Sequence, residues 1–258
     1  MPILAQIVVY PIKSLDGHVC QAVEVLPGGA LRHDRQFAIV DSNGQWVNGK
    51  RYHRVVTLQA TYTEDFTQVT LRHAGDPRGT VFALCADNSD LVEYLSIALG
   101  QRVSLIENIN GGFPDDTEAS GPTLVSWASL ERIAAWFPGL TAQDIRVRTR
   151  PNLVIDQCEP FWEDRLAVGN GVRFQVGSVE FVGMRICRRC VVPSLAPGTA
   201  ERWIGFEREF MRRRWKERPP WSPLADEMSS YRFAINTRGL TTGTLRQGDV
   251  VSTLDNGG

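Results

Sequence analysis

Short apolar segments rich in β-branched residues recur along this chain, and residues that favour turns separate them. In the first third, these segments cover 4–12, 22–26, 36–41, 45–48, 54–63 and 67–73. Asn-Gly within Ser42-Asn43-Gly44 predicts a hairpin, and a second one is predicted around Thr63-Glu64-Asp65-Phe66. The spacing of such short strands favours a barrel or a sandwich-like sheet.

The second half of the chain returns to the same pattern after two helical segments. Helices are predicted at 89–99, where Gly100 provides a stop, at 127–137 behind a Ser126 cap, and within 201–215. Strands are predicted at 146–155, 166–168, 172–176, 179–182, 231–235 and 245–253. The sequence therefore predicts a mainly β protein with a few helices, of the α+β class.

Two segments predict irregular structure. Residues 74–81 read as a loop, and residues 108–122 are rich in Gly, Pro, Asp and Ser. A long segment of that composition within a compact protein is often functional. We expect 108–122 to form a mobile connection or a lid over a site.

Charge and hydropathy exclude several classes of function. The net charge is −1, from 28 basic and 29 acidic residues among 258, which gives no reason to expect nucleic acid or an anionic membrane as partner. The run Arg212–Lys216 is flanked by glutamates and is typical of a solvated helix face. No apolar run approaches the ~20 residues of a membrane span, and the first residues lack a signal-peptide pattern. We expect a cytoplasmic protein that binds neither nucleic acid nor membrane.

The Cys187-Arg188-Arg189-Cys190 segment is the main candidate for chemistry, although its spacing alone leaves several interpretations open. A zinc site would need two further ligands, and the four histidines lie far upstream without ligand spacing. A thioredoxin-like pair would need a helix start in a βαβ unit, whereas strands precede Cys187. Two buried thiols remain a simpler interpretation.

The basic neighbours of these cysteines argue against inert thiols. Arg185, Arg188 and Arg189 surround them, and nearby cations favour the thiolate, which is the metal-binding form. Guanidinium groups also bind phosphate bidentately. Other clusters contain Lys13-Ser14, Asp34-Arg35, Lys50-Arg51, and the alternating Arg148, Arg150 and Asn152. Together they are compatible with one phosphate pocket, although composition does not show that they converge.

Several segments, taken in order, resemble the MOSC superfamily, the molybdenum cofactor sulfurase C-terminal domain proteins. The similarity is to the branch with the mitochondrial amidoxime reducing component and its bacterial relatives. The segments that carry it are Tyr10-Pro11-Ile12-Lys13-Ser14, Asp34-Arg35-Gln36-Phe37-Ala38-Ile39-Val40, Arg150-Pro151-Asn152-Leu153-Val154-Ile155, Cys187-Arg188-Arg189-Cys190, Tyr231-Arg232-Phe233 and Arg246-Gln247-Gly248-Asp249-Val250-Val251.

This resemblance implies a MOSC β-barrel over residues 100–255, packed against an N-terminal β domain over residues 1–88. It implies a molybdenum cofactor (molybdopterin) in the cleft between them, with Cys190 as the metal ligand and catalytic residue. The cofactor-binding residues that it implies are Lys13, Ser14, Arg35, Arg150, Asn152, Arg188 and Arg189. Cys187 would not bind the metal itself, and would either support the metal ligand Cys190 or be structural.

The chemistry implied by the resemblance is two-electron reduction of N-hydroxylated small molecules, such as amidoximes, hydroxylamines and N-hydroxylated bases. The cofactor performs the redox step, so we assign no protein general base. The resemblance implies a separate electron-donor protein of the flavin, haem or iron–sulfur type, because no fused iron–sulfur domain is expected. The alternative is non-catalytic cofactor binding, or sulfur carried on a cysteine as persulfide.

The segment after Cys190 departs from the family pattern. The family usually has an Asp-Pro-x-Thr-Gly run there, whereas Ala196 stands at the acid and Ala200 at the glycine. Arg188 replaces a more usual small residue. These differences bear on the substrate range and the cofactor affinity.

Overall fold

The computed structural model describes residues 1–73 and 76–254. Its strands are β1 (Ile3–Val9), β2 (His18–Cys20), β3 (Ala22–Val25), β4 (Phe37–Asp41), β5 (Gln59–Tyr62), β6 (Gln68–His73), β7 (Asp76–Ala83), β8 (Val103–Glu107), β9 (Leu124–Ser126), β10 (Leu153–Asp156), β11 (Arg173–Val176), β12 (Val179–Arg188), β13 (Arg232–Gly239), β14 (Gly243–Arg246) and β15 (Val251–Thr253). The structure is mainly β with a few helices, as predicted.

The helices are fewer than the strands. The α-helices are α1 (Ser89–Leu99), α2 (Trp127–Ala134), α3 (Ala142–Thr149) and α4 (Phe206–Lys216), and 3-10 helices cover His53–Thr57, Trp162–Ala167 and Val192–Ser194. None of these helices, within the part of the chain that the structure describes, is long and apolar enough to cross a membrane.

The largest sheet joins the beginning of the chain to its second half. Its eight strands run in the order β15-β11-β12-β13-β9-β10-β1-β2. Strand β1 pairs antiparallel with β10, with Ile7 opposite Leu153. Both residues belong to a buried cluster of aliphatic and aromatic side chains that also contains Phe174 and Ile235. Each fully buried side chain of this kind stabilises the fold by about 1.5–3 kcal/mol.

The remaining strands form smaller sheets, and those of β4–β8 and β5–β6–β7 surround a second core, whereas β3 and β14 pack on the first. Strands β5, β6 and β7 form an antiparallel sheet, β4 pairs with β8, and β14 pairs with β3. The apolar face of α1 packs on this second core through Leu91 and Leu95. A third cluster joins α2, α3 and α4 and contains the stacked rings of Phe137 and Phe206.

Several local predictions are confirmed. Strands β5 and β6 pair around the predicted turn at 63–66, although residues 54–57 of the predicted first strand belong to a 3-10 helix. Helix α1 begins after Asn88, whose side chain accepts from two backbone N–H groups, and it ends at left-handed Gly100. Helix α2 begins after Ser126, which caps it as predicted.

The predicted strand over 146–155 is wrong in its first half, where helix α3 extends to Thr149. The helix forms because Thr141 and Asp144 make a reciprocal capping box, which satisfies two N–H groups at its start. Arg150 then adopts a left-handed conformation that ends the helix, and β10 begins only at Leu153. Arg148, Arg150 and Asn152 therefore do not share one face of a strand.

Three smaller predictions also need correction. Residues 166–168 do not form a strand, because Leu166 and Ala167 belong to a 3-10 helix. Residues 76–81 belong to β7 and pair with β6. The turn at 42–44 forms, since Asp41 N donates to Gln45 O over 2.9 Å, but the ladder partner of β4 is β8. Residues 74–75 and 255, which the predictions included, lie outside the described residues.

A buried charged cluster supports the packing of α4 on the 3-10 helix at 162–167. Arg214 is 0% exposed, donates to Asp164, and has its guanidinium 3.8 Å from the centre of the Phe161 ring. Glu163 is also fully buried, and both of its carboxylate oxygens lack a hydrogen-bond partner in the described structure. Burial, with a further contribution from Asp164, raises the pKa of Glu163 to about 7.

This raised pKa predicts a pH-dependent stability. The unfolded chain releases the Glu163 proton near the ordinary glutamate pKa of 4.5, whereas the folded chain keeps it up to about pH 7. The fold is therefore fully stabilised by this proton below pH 4.5 and loses that stabilisation as the pH rises to 7. We expect Glu163→Gln, which keeps the shape of the protonated form, to be more stable than wild type at pH 8 by about 3 kcal/mol. Urea unfolding from pH 4.5 to 8 measures the difference, and a constant difference across this range would contradict the assignment.

Candidate functional site

A cleft opens where the end of β1, the last turn of α3 and the end of β12 meet. It encloses about 1180 Å³, a volume that includes space open to solvent. The cleft is lined by seven of the eight predicted site residues: Lys13, Ser14, Arg35, Arg150, Asn152, Arg189 and Cys190. The eighth, Arg188, is exposed and is not among the residues that line the cleft.

Both cysteines of the Cys-x-x-Cys segment line this cleft, but their surroundings differ. Cys187 lies in β12, and its Sγ accepts from Arg189 Nη1 over 3.2 Å. Cys190 lies between the end of β12 and the 3-10 helix at 192–194, and it is half-buried. No hydrogen bond to the Cys190 thiol occurs within residues 1–73 and 76–254. Of the two sulfur atoms, that of Cys190 is therefore the more available to bind a ligand.

A metal bound to Cys190 would receive few other protein ligands. Within the described residues, no three His, Cys, Asp or Glu side chains group together as metal ligands. A structural zinc ion needs four such ligands. The donor set instead suits a metal that brings its other ligands with it.

The last turn of α3 contacts the chain on both sides of Cys190. Arg148 is 8% exposed, and its Nη1 donates to Pro193 O over 3.1 Å and to Leu195 O over 2.7 Å. Arg189 donates to Thr149 O at the end of the same helix. Burial lowers the pKa of Arg148. The sequence drew attention to Arg148 only through its alternation with Arg150, and no local signal indicated that it anchors the segment after Cys190.

Cations outnumber carboxylates around the cleft. Six cationic side chains line it, together with three aspartates: Lys13, Arg35, Lys50, Arg148, Arg150 and Arg189, with Asp34, Asp115 and Asp116. Lys13 pairs with Asp115 over 2.7 Å, and Arg35 pairs with Asp34. Asp116 is occupied by Arg185, which donates to both of its oxygens from outside the lining. The cleft therefore carries a surplus of positive charge that attracts anions.

Arg150 contributes most directly to this surplus. Its guanidinium makes no hydrogen bond or ion pair in the described structure, and its nitrogens are not sealed from the cleft. Burial lowers the pKa of Arg150. A partly buried cation without a counterion is costly unless a ligand supplies one.

Asn152 connects several residues of the cleft through its side-chain amide. Its Oδ1 accepts from Arg35 Nη1 over 2.9 Å and from the Thr123 N–H and hydroxyl, while its Nδ2 donates to Val8 O and to Asp34 Oδ1 over 2.9 and 3.0 Å. Both amide hydrogens and the carbonyl oxygen are therefore used within the protein. Asn152 is 2% exposed and positions Arg35 and Asp34.

Three residues that line the cleft adopt a left-handed backbone conformation that side chains other than glycine rarely adopt. The φ angles are 76° at Ser14, 49° at Arg35 and 57° at Arg150. Such residues concentrate at functional sites, where surrounding contacts compensate for the strain. Ala200, which stands where the family usually has glycine, is also left-handed, with φ of 58°.

The segment 108–122, predicted as a connection or lid, forms one wall of the cleft through Pro114, Asp115, Asp116 and 119–121. Gly112 lies so close to the backbone of Asp34 and Arg35 that a Cβ at this position would meet Asp34 O at 2.3 Å. Phe113 N donates to Arg35 O over 2.9 Å. This wall thus supports the backbone of Arg35.

Comparisons with known proteins account for most of the chain. Residues 1–98 match the family model of the MOSC N-terminal beta barrel domain, and residues 122–252 match that of the MOSC domain. No curated protein matches the chain. Among solved structures, the YuaD protein from Bacillus subtilis is similar, at 11% identity and a TM-score of 0.40, over 97% of this chain and 94% of that one.

The hydrogen bonds of Asn152 predict a large loss of stability when its amide is removed. Asn152→Leu removes one buried hydrogen bond from each of Val8 O, Asp34 and Arg35 and two from Thr123, so we expect a loss of about 2–4 kcal/mol in the free energy of unfolding. Asn236→Leu is the matched control. Asn236 also lines the cleft, but it donates only to Asp116, and its Oδ1 is already unpartnered. Equal losses in urea unfolding would contradict the role of Asn152.

Proposed function

Because this chain belongs to the MOSC family, we propose that it is an oxidoreductase that binds the molybdenum cofactor in its cleft and reduces N-hydroxylated small molecules. MOSC domains are linked to this cofactor, a pterin that bears the metal and a phosphate group. Amidoximes, hydroxylamines and N-hydroxylated bases are the proposed substrates.

One observation carries this proposal: the Cys190 thiol and the Arg150 guanidinium line the same cleft, and neither has a hydrogen-bond or ion-pair partner among the described residues. A thiolate is a soft ligand that suits a transition metal. Since few other protein ligands surround Cys190, the fit is to a metal coordinated mainly by its own cofactor. The surplus cations fit the phosphate of that cofactor, because guanidinium and ammonium groups bind phosphate through charge-assisted hydrogen bonds.

The proposed roles differ among the residues that line the cleft. Cys190 ligates the metal, while Lys13, Ser14, Arg35 and Arg150 hold the pterin and its phosphate. Asn152 acts indirectly, because its hydrogen-bonding groups are already used on Arg35 and its neighbours. Because the Arg188 side chain is exposed, only its backbone is proposed to contact the cofactor. Arg189 donates a hydrogen bond to the Cys187 sulfur and is proposed to act next to the two thiols.

The proposed reaction cleaves the N–O bond of an N-hydroxylated substrate, consumes two electrons and two protons, and releases water. When bound, the cofactor supplies the two-electron redox centre. The chain itself fixes the thiol, through Arg148 and Arg189 on either side of it, and neutralises the anionic cofactor. We propose that the electrons come from a separate donor protein of the flavin, haem or iron–sulfur type.

A second function is favoured by the presence of two free thiols on the cleft. Cys187 and Cys190 both line it, and Arg189 donates to the sulfur of Cys187. That arrangement is compatible with a carrier that holds the cofactor without turnover, or that holds sulfur as a persulfide. Metal content and turnover together separate the two functions.

The proposed metal ligand predicts which cysteine controls molybdenum content. We expect wild-type protein, purified from a host that makes the cofactor, to carry molybdenum and pterin in near-equal amounts. Cys190→Ser should reduce the molybdenum content to background, because it removes the single proposed protein ligand. Cys187→Ser is the matched control and should retain most of the metal. Metal analysis and pterin fluorescence measure both contents. Negligible molybdenum in all three proteins would refute cofactor binding, and a greater loss in Cys187→Ser would reassign the ligand.

The proposed reaction predicts a specific product. The cofactor-loaded protein, with a chemically reduced viologen as electron source, should convert an aromatic amidoxime to the amidine, and Cys190→Ser should not. Chromatography of the amidine measures turnover, and a set of hydroxylamines and N-hydroxylated bases extends the comparison. Loaded wild-type protein that reduces none of these compounds would favour the carrier function.

A further inference from the structure

Tyr10 lies directly beneath two of the arginines that line the cleft. The guanidinium of Arg35 is 4.6 Å from the centre of the Tyr10 ring, and that of Arg150 is 4.2 Å from it. Tyr10 is 2% exposed, and it does not itself line the cleft. The face of an aromatic ring carries negative partial charge, so one ring attracts both cations.

The backbone and hydroxyl of Tyr10 also join the two segments that carry these arginines. Tyr10 N donates to Asp34 Oδ1 over 2.9 Å, and Arg35 N donates to Tyr10 O over 2.7 Å. On the other side, the Tyr10 hydroxyl donates to Pro151 O over 3.1 Å. One residue therefore contacts the neighbours of both left-handed arginines.

The two arginines depend on this ring to different extents. Arg35 is also held by Asp34 and Asn152. The guanidinium of Arg150 has no hydrogen-bond or ion-pair partner in the described residues, so the Tyr10 ring is its principal contact there. Arg35 and Arg150 also repel each other electrostatically. Without an attractive surface between them, Arg150 would move away from Arg35.

We propose that Tyr10 is a positioning residue, which holds Arg35 and Arg150 together so that both cations face one phosphate dianion in the cleft. The identity of the natural ligand, the phosphate of the cofactor, rests on the proposed function. The geometry of the subsite does not, so inorganic phosphate serves as the probe.

The test compares three side chains at position 10 in the cofactor-free full-length chain. Phosphate affinity is measured by calorimetry and by the shift of melting temperature at constant ionic strength. Tyr10→Phe keeps the ring and should bind phosphate within about twofold of wild type. Tyr10→Leu removes the ring and should weaken binding about tenfold. Pentafluorophenylalanine at position 10 keeps the packing of Phe but reverses the charge of the ring face, and it should also weaken binding.

A control variant and a double-mutant cycle separate positioning from general packing. Trp221→Leu removes another ring beneath an arginine, since Arg165 lies 3.8 Å from its centre outside this cleft. This variant should leave phosphate affinity unchanged. In an Arg150→Ala background, Tyr10→Leu should have little further effect, because the ring would act through Arg150.

The outcomes distinguish this proposal from the proposed function. Absence of phosphate binding to wild type, equal affinity of the Phe and pentafluorophenylalanine proteins, or additive effects in the double mutant would each overturn the role of Tyr10. Phosphate binding that depends on position 10, in a protein that never acquires molybdenum, would support this inference and refute the proposed function. If wild type acquires molybdenum, but neither the phosphate affinity of the cofactor-free protein nor the pterin content of the loaded protein changes with the residue at position 10, the result would refute this inference and support the proposed function.

Discussion

The antiparallel pairing of β1 with β10 is the interaction on which the rest of the cleft depends. In antiparallel strands, the exit of one lies beside the entry of the other. Residues 10–15 therefore lie beside residues 148–152, although they are far apart in sequence. Val8 N donates to Asn152 O over 2.7 Å, and Asn152 Nδ2 returns to Val8 O over 2.9 Å. The cations from the beginning and the middle of the chain meet because apolar residues on both faces of β1, such as Ile7 and Val8, are buried and hold this pairing in place.

Arg214 and Arg150 show how burial distinguishes a structural arginine from a candidate binding arginine. Arg214 is fully sealed, paired with Asp164 and packed on Phe161, so the protein itself supplies its counterion. Arg150 has an aromatic surface beneath it, and among the described residues no carboxylate forms an ion pair with it, although Asp16 attracts it from a longer distance. Removing water from a charge is costly, and that cost is offset only when an opposite charge arrives. The unpaired cation therefore indicates a site for an anion, whereas the paired one indicates packing between α4 and the 3-10 helix at 162–167.

Local signals predicted the elements whose ends are determined locally. The turn at 63–66, the Asn88 and Ser126 caps and the Gly100 stop lie within a few residues of the structures that they determine. The alternation of Arg148, Arg150 and Asn152 suggested a strand, because side chains of a strand repeat every two residues, but the capping box at Thr141 and Asp144 favours a helix there. The residue types of the cleft were evident from the sequence. The contacts of Tyr10, Arg148 and Asn152 were not, since each depends on segments more than 40 residues away.

The helical form of 142–149 changes what the neighbouring arginines do. On a strand, Arg148 and Arg150 would have faced the same direction and supplied one doubled charge. At the end of a helix, Arg148 donates to the carbonyl groups of Pro193 and Leu195, beyond Cys190. Arg150 itself adopts the left-handed conformation, and its guanidinium lies over the Tyr10 ring. One turn of α3 thus supports the thiol on one side of the cleft and the cationic pair on the other. Because both are attached to the same helix end, the separation between the thiol and the cations is set by a rigid element.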